Sequence, residues 1–168
     1  AASRIGGLCL RTPLLESPAL AQRLGAAAAY LKPETLQRGG AFKFRGAMSR
    51  ISKMTPDELA RGVVAFSSGN HAQGVAIAAA MAGTAATIVI PSDAPRIKID
   101  ATRAAGATVR LYDRYTEDRE AIAAEIAGRQ ASVVIPAFDD ADVIAGQGTL
   151  GLEIAAQALE AGGPLDLL

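Results

Sequence analysis

The chain has 168 residues, half of them hydrophobic, enough for one sizeable α/β domain or two small ones and too apolar for a disordered chain. Seventeen Lys and Arg balance seventeen Asp and Glu, so no basic field draws nucleic acid, and a small or near-neutral partner fits better. The single cysteine, Cys9, cannot close an intrachain disulfide, no signal-peptide pattern opens the sequence and no apolar stretch is long enough to span a membrane; a cytoplasmic setting is expected.

In chain order, RTPLLESPALAQRLG (Arg11–Gly25) reads as a turn, a helix and a glycine stop, and AAAYLK (Ala27–Lys32) as a strand. After a glycine pair, AFKFRGAMSRISKM (Ala41–Met54) has helical spacing. From Val63 onward the pattern changes. Short β-branched runs at Val63–Ser67, Ala86–Ile90, Thr108–Tyr112 and Ser132–Pro136 alternate with helical stretches at Asn70–Ala82, Arg96–Ala105 and Glu117–Arg129. Gly83 and Gly106 stop the first two helices, and Thr116 is placed to cap the third. This alternation predicts a four-stranded, doubly wound parallel unit. The final stretch, Asp139–Gly163, is one long helical pattern carrying more glycine than a helix prefers. The expected organisation is an inserted small α/β domain over 61–141, flanked by the two parts of a larger one, 1–60 and 142–168.

Two stretches carry candidate chemistry. In GGAFKFRGA (Gly39–Ala47), Lys43 stands between Phe42 and Phe44. It reads either as half of a solvated basic pair with Arg45, or as an amine held against both rings. Lost hydration would then lower its pKa from about 10.4 and leave it able to form a Schiff base. The second is FSSGNHAQG (Phe66–Gly74), where a strand runs directly into a helix. Ser67, Ser68 and Asn70 can serve as an ordinary N-cap, or the turn can offer free backbone N–H groups to an anion at the helix start. Two hydroxyls, an amide and the single histidine, His71, crowd around Gly69 more densely than capping requires.

Other constellations are set aside. GQGTLG (Gly146–Gly151) matches a dinucleotide fingerprint letter by letter, yet no strand leads into it, and its glycines read better as sites of close helix packing. With one His and one Cys, no intrachain His/Cys metal cluster is expected.

Taken together, RTPLLESPAL, LKPETLQRGGAFKFRGA, FSSGNHAQGVAIAAAMAG, VIPSDAPRIKIDATRAAGATV and FDDADVIAGQGTLGLEI resemble, in this order, the threonine/serine dehydratases and serine racemases. These are pyridoxal-phosphate enzymes of fold type II, the tryptophan-synthase-β type, and the likeness runs from Arg11 to Leu168. The resemblance implies two parallel-sheet α/β domains, the large one incomplete here, a homodimer, and pyridoxal 5'-phosphate as cofactor. It implies that Lys43 holds the cofactor covalently, that Phe42 packs on its ring and that Asn70 bonds its phenolic oxygen. Ser67, Ser68, Gly69 and His71 match the loop that receives the substrate carboxylate. The implied reaction is β-elimination from L-threonine, L-serine or 3-hydroxyaspartate, with Lys43 removing the α-proton and a 2-oxo acid and ammonia as products. A hydroxyl at Ser68 matches the racemases, in which it works on the opposite face of the substrate. No acidic ligands for an activating divalent ion are identified.

Two departures accompany the likeness. Ala41 stands where the family usually has serine. The glycine-rich phosphate loop is expected beyond Leu168, so this chain alone is expected to bind cofactor poorly. A second substrate carboxylate would need a cation, and the sequence does not locate one.

Overall fold

The structure, a computed structural model, describes residues 1–167. A short helix α1 (Ala2–Ile5) leads to a strand β1 (Leu15–Glu16) and a helix α2 (Pro18–Leu24). Ser17 accepts from the Leu20 N–H, Pro18 occupies the first turn, and Gly25 ends the helix in the left-handed region, φ 65°. Strand β2 (Tyr30–Leu31) pairs antiparallel with β1. Two 3-10 turns, Glu34–Leu36 and Arg38–Gly40, bring the chain to helix α3 (Lys43–Ile51). Helix α4 (Pro56–Arg61) follows, fixed by a capping box between Thr55 and Glu58.

The parallel unit follows the expected alternation: β3 (Val63–Phe66), α5 (Asn70–Ala82), β4 (Ala86–Pro91), α6 (Arg96–Ala104), β5 (Thr108–Tyr112), α7 (Arg119–Gln130) and β6 (Val133–Val134). Its strand order is β5-β4-β3-β6, all parallel, with Val63 opposite both Ala86 and Val133. One sheet face packs Val63, Ala65, Ile88 and Ile90 against α3, α5 and α6. The other packs Val64 and Val89 against Ala123 of α7. Helices on both faces make it doubly wound, as predicted. Helix α8 (Ala141–Ala161) closes the chain, its start capped by the Asp140 carboxylate, which accepts from the Asp142 and Val143 N–H groups.

Two local expectations are corrected. Strand β6 is shorter than predicted: it pairs with β3 over Val133–Val134, the Ile135 N–H donates to the Val64 carbonyl at 2.8 Å, and the Ile135 carbonyl faces the His71 ring, while Pro136 sits where an edge strand tolerates a missing N–H. Helix α7 is capped by Asp118, which accepts from the Glu120 and Ala121 N–H groups, not by Thr116. Glu117 is drawn away from the helix start, bonding the Asp113 N–H and Arg110. The C-terminal end of α7 is closed by Ala131 at φ 52°, a left-handed conformation that costs a non-glycine residue about 1 kcal/mol.

Candidate active site

Three elements meet around Lys43. The amine sits on the first residue of α3, half-buried, and donates to the Ala137 carbonyl at 2.7 Å. Ala137 lies in the connection between β6 and α8, where Asp139 takes φ 52°, a left-handed conformation that Asp adopts more readily than most residues. No carboxylate pairs with Lys43 among the described residues.

The Phe42 ring, 38% exposed, lies 5.4 Å from the Lys43 Nζ. Phe44 does not share that role. Two residues further on, a helix has turned about 200°, and the Phe44 ring is fully buried in the main core. The expectation of two flanking rings therefore reduces to one.

Helix α5 brings the second stretch to the same place. Gly74 lies against the backbone of Lys43: a Cβ there would stand 3.1 Å from the Lys43 carbonyl carbon and from the Phe44 nitrogen. Only a glycine allows this approach without displacement, and it sets the α5 start beside the α3 start. Gly69 is the N-cap of α5, and no side chain caps the helix. The Ser67 hydroxyl accepts from the Gly69 N–H at 3.2 Å, and the first α5 helical bond comes from the Gln73 N–H. So neither Ser67, Ser68 nor Asn70 caps the helix start; Ser68 and Asn70 are exposed. The first-turn N–H groups stay available at the positive end of the helix dipole.

His71 is 3% exposed, and its Nε2 lies 3.1 Å from the Ile135 carbonyl oxygen. Burial holds its pKa below the ordinary histidine range, with the nearby Lys43 charge adding to the shift against the opposing Ile135 bond. The ring is therefore neutral and Nε2 carries the proton toward Ile135. Its Nδ1 is a buried acceptor with no partner. An unprotonated acceptor repels a carboxylate, so any service of His71 to an anion comes through its backbone N–H.

Behind Lys43 lies a cluster that the sequence did not disclose. Arg45, 1% exposed, binds Glu34 through Nε and Nη2 at 2.8 Å each, and Glu153 through Nη1 at 2.7 Å and Nη2 at 2.9 Å. Lys32 joins it, donating to Glu153 at 2.7 Å and to the Thr12 carbonyl at 2.7 Å. Burial alone would raise the Glu34 carboxyl, but hydrogen bonds from Arg45 and Thr12 outweigh it and hold it below the usual range. The same balance, with Arg45 and Lys32 as donors, lowers Glu153. The reading of Lys43 and Arg45 as an exposed basic pair is overturned. The available signal was Glu153, a lone acid inside an apolar helical run.

This geometry defines an α/β protein in which an unpaired lysine amine opens one helix beside the uncapped start of another. A family model described as pyridoxal-phosphate dependent enzyme matches residues 6–167, and the chain belongs to that family. It is 50% identical over all 168 residues to an L-threo-3-hydroxyaspartate ammonia-lyase of Pseudomonas sp, covering 51% of that protein. It is 42% identical over its whole length to a serine racemase of Schizosaccharomyces pombe, covering 50% of it. In structure it superposes on the processed form of threonine deaminase isoform 2 from Solanum lycopersicum with a TM-score of 0.84 and 42% identity, covering 91% of this chain and 44% of that one. The chain thus spans about half the length of the relatives it matches. Pyridoxal phosphate is the family's cofactor, as the motifs implied, and the residues present fit its aldehyde end. The amine is partly exposed and bound only to a carbonyl, an aromatic ring lies beside it, and the Asn70 side chain is exposed at the adjacent turn.

Proposed function

We propose that the chain carries the amine and the carboxylate-binding turn of an ammonia-lyase that eliminates water from a small hydroxy amino acid. The substrate class is L-threonine, L-serine or 3-hydroxyaspartate, and the products are a 2-oxo acid and ammonia. The observation that carries this reading is the placement of the Lys43 amine, without a counter-ion among the described residues, beside the open start of α5. The ammonia-lyase and deaminase named among the relatives supply the reaction class.

Lys43 would attach the cofactor, Phe42 would pack on it and Asn70 would bond its phenolic oxygen. Once bound, pyridoxal phosphate takes up the electron pair left when the substrate's Cα–H bond breaks. The Lys43 amine would accept that proton. The Ala137 carbonyl fixes where the amine waits. The hydroxyl of Ser67, which accepts from the Gly69 N–H, and the N–H groups of Asn70 and His71 would receive the substrate carboxylate at the positive end of α5. Neutral His71 adds no charge there, and its buried ring keeps water from the floor of the turn.

A second reading, racemisation of serine, is favoured by Ser68. Its side chain is exposed at the turn, and the likeness to racemases would have it exchange a proton on the face of the substrate opposite Lys43. The two-domain division, 61–141 inserted between 1–60 and 142–168, and a homodimeric state belong to this proposal for the whole protein.

The test uses the whole protein. Added pyridoxal phosphate is expected to give a visible absorbance band that borohydride fixes onto the peptide carrying Lys43, and Lys43→Ala abolishes both. No band and no labelled peptide would leave only a non-catalytic α/β module. Ammonia release against D-serine formation separates the two reactions, and Ser68→Ala is expected to suppress only the latter.

A further inference from the structure

One cation near the turn has no place in the reaction so far. Lys98, half-buried in the first turn of α6, holds its amine so close to Gly69 that a Cβ built there would stand 3.3 Å from Nζ. Its backbone is used locally: the N–H donates to the Pro95 carbonyl at 2.9 Å, and its own carbonyl accepts from the Thr102 hydroxyl at 2.8 Å. Its amine makes no ion pair among the described residues. The nearby acids are taken by arginines: Asp100 by Arg96 and Arg103, and Asp93 by Arg114.

The position is electrostatically odd. Helix starts attract anions, and a lysine belongs at the other end. Here an ammonium lies beside the uncapped first turn of α5, so two sources of positive potential meet with no anion between them. A single carboxylate is matched by the N–H groups of the turn alone. A formal positive charge added beside that cradle balances a second negative charge.

We propose that Lys98 recognises the side-chain carboxylate of a dicarboxylic substrate, and so sets a preference for a 3-hydroxyaspartate over L-serine. This rests on the β-elimination reading above and supplies the cation that the sequence alone did not locate. The ammonium pairs with the side-chain carboxylate next to Gly69, while the turn's N–H groups hold the α-carboxylate. Lys98 takes no part in proton transfer.

The test compares kcat/KM of the whole, cofactor-loaded protein for L-threo-3-hydroxyaspartate and for L-serine, by ammonia release. Lys98→Ala and Lys98→Gln are expected to raise KM for the dicarboxylic substrate about tenfold, leaving L-serine within about twofold, and Lys98→Arg restores most of the loss. A binding readout independent of turnover is calorimetry with succinate, a dicarboxylate with no hydroxyl to lose. Its affinity is expected to fall about tenfold in both neutral variants. Equal losses for both substrates would place Lys98 on the α-carboxylate and overturn the assignment, as would unchanged kinetics or a wild type that prefers L-serine. A wild type that forms no borohydride-fixed adduct and releases no ammonia instead removes the β-elimination reading itself.

Discussion

Helix α3 carries Lys43, and it is clamped between two glycines. On one side, a Cβ at Gly146 of α8 would stand 2.5 Å from the Arg45 carbonyl oxygen, 2.6 Å from the Ser49 Cβ and 2.7 Å from the Gly46 Cα. On the other, Phe44, Ala47, Met48 and Ile51 are sunk in the main core, and Gly74 of α5 touches the backbone of Lys43. Comfortable carbon contacts begin near about 3.5 Å, so Gly146→Ala requires α3 and α8 to part by about 1 Å. None of these three neighbours is the end of a flexible side chain, and a retreat of α3 drives it into the core and Gly74. Overpacking of this kind costs up to about 3 kcal/mol, and the better helix propensity of alanine returns about 1 kcal/mol. The net loss is about 2 kcal/mol, a fall of about 1 M in the urea midpoint for a slope of about 2 kcal/mol/M. Urea unfolding of the whole protein by far-ultraviolet circular dichroism measures it. A midpoint at or above wild type would mean that propensity alone governs the site, and the clamp would be refuted.

Two further outcomes follow from the buried titratable groups. Burial depresses the His71 pKa, so the unfolded chain binds the proton first as pH falls; the stability this represents is present above about pH 6.5 and is lost between there and the folded value. Glu34 and Glu153 are also depressed, and their contribution, present above about pH 4.3, is lost as pH falls through their lowered folded values. Chemical denaturation midpoints from pH 8 to pH 3 should decline in two stages, and a flat profile between pH 7 and pH 5 would contradict the neutral His71. Cys9 is buried, and desolvation pushes its thiol up to about 11 despite the nearby Arg45 charge. It should resist iodoacetamide at pH 8 in the native protein and react on unfolding, as mass spectrometry of the alkylated chain would record.

The parallel unit was legible because each β-branched run is followed by a helical stretch, and Gly83 ends α5 in the left-handed conformation that glycine adopts freely, φ 69°. What failed were competitions between neighbours. Thr116 is a good cap by type, but Glu117 engages Arg110 and the Asp113 N–H, leaving Asp118 to cap α7. Lys43 and the turn after β3 were found through quoted motifs, and their neighbourhood through the structure. Of the Arg45 cluster only Glu153 stands out, as an acid in an apolar helical run; the pairing itself was not legible, since the partners lie 11 and 108 residues away in sequence. Gly146 was a different case: its fingerprint reading fell away for want of a preceding strand, and it lies inside α8 at the α3 crossing.

The spacing from Lys43 to Arg45 ties these observations together. Residues two apart on a helix point about 200° away from each other, so one of them faces the cleft only if the other faces the opposite side. Arg45 is held on that side by four short bonds to two carboxylates, one from the 3-10 turn at Glu34 and one from α8 at Glu153. Rolling α3 about its axis would break a buried, charged set at once, a loss of about 3–5 kcal/mol when one partner of such a pair is removed. The amine is met by the Ala137 carbonyl from the connection that leads into the same α8. The helix that anchors the guanidinium thus also sets the carbonyl that anchors the amine. The direction of a half-exposed lysine at a helix start is therefore fixed from behind, by charges that never reach the cleft.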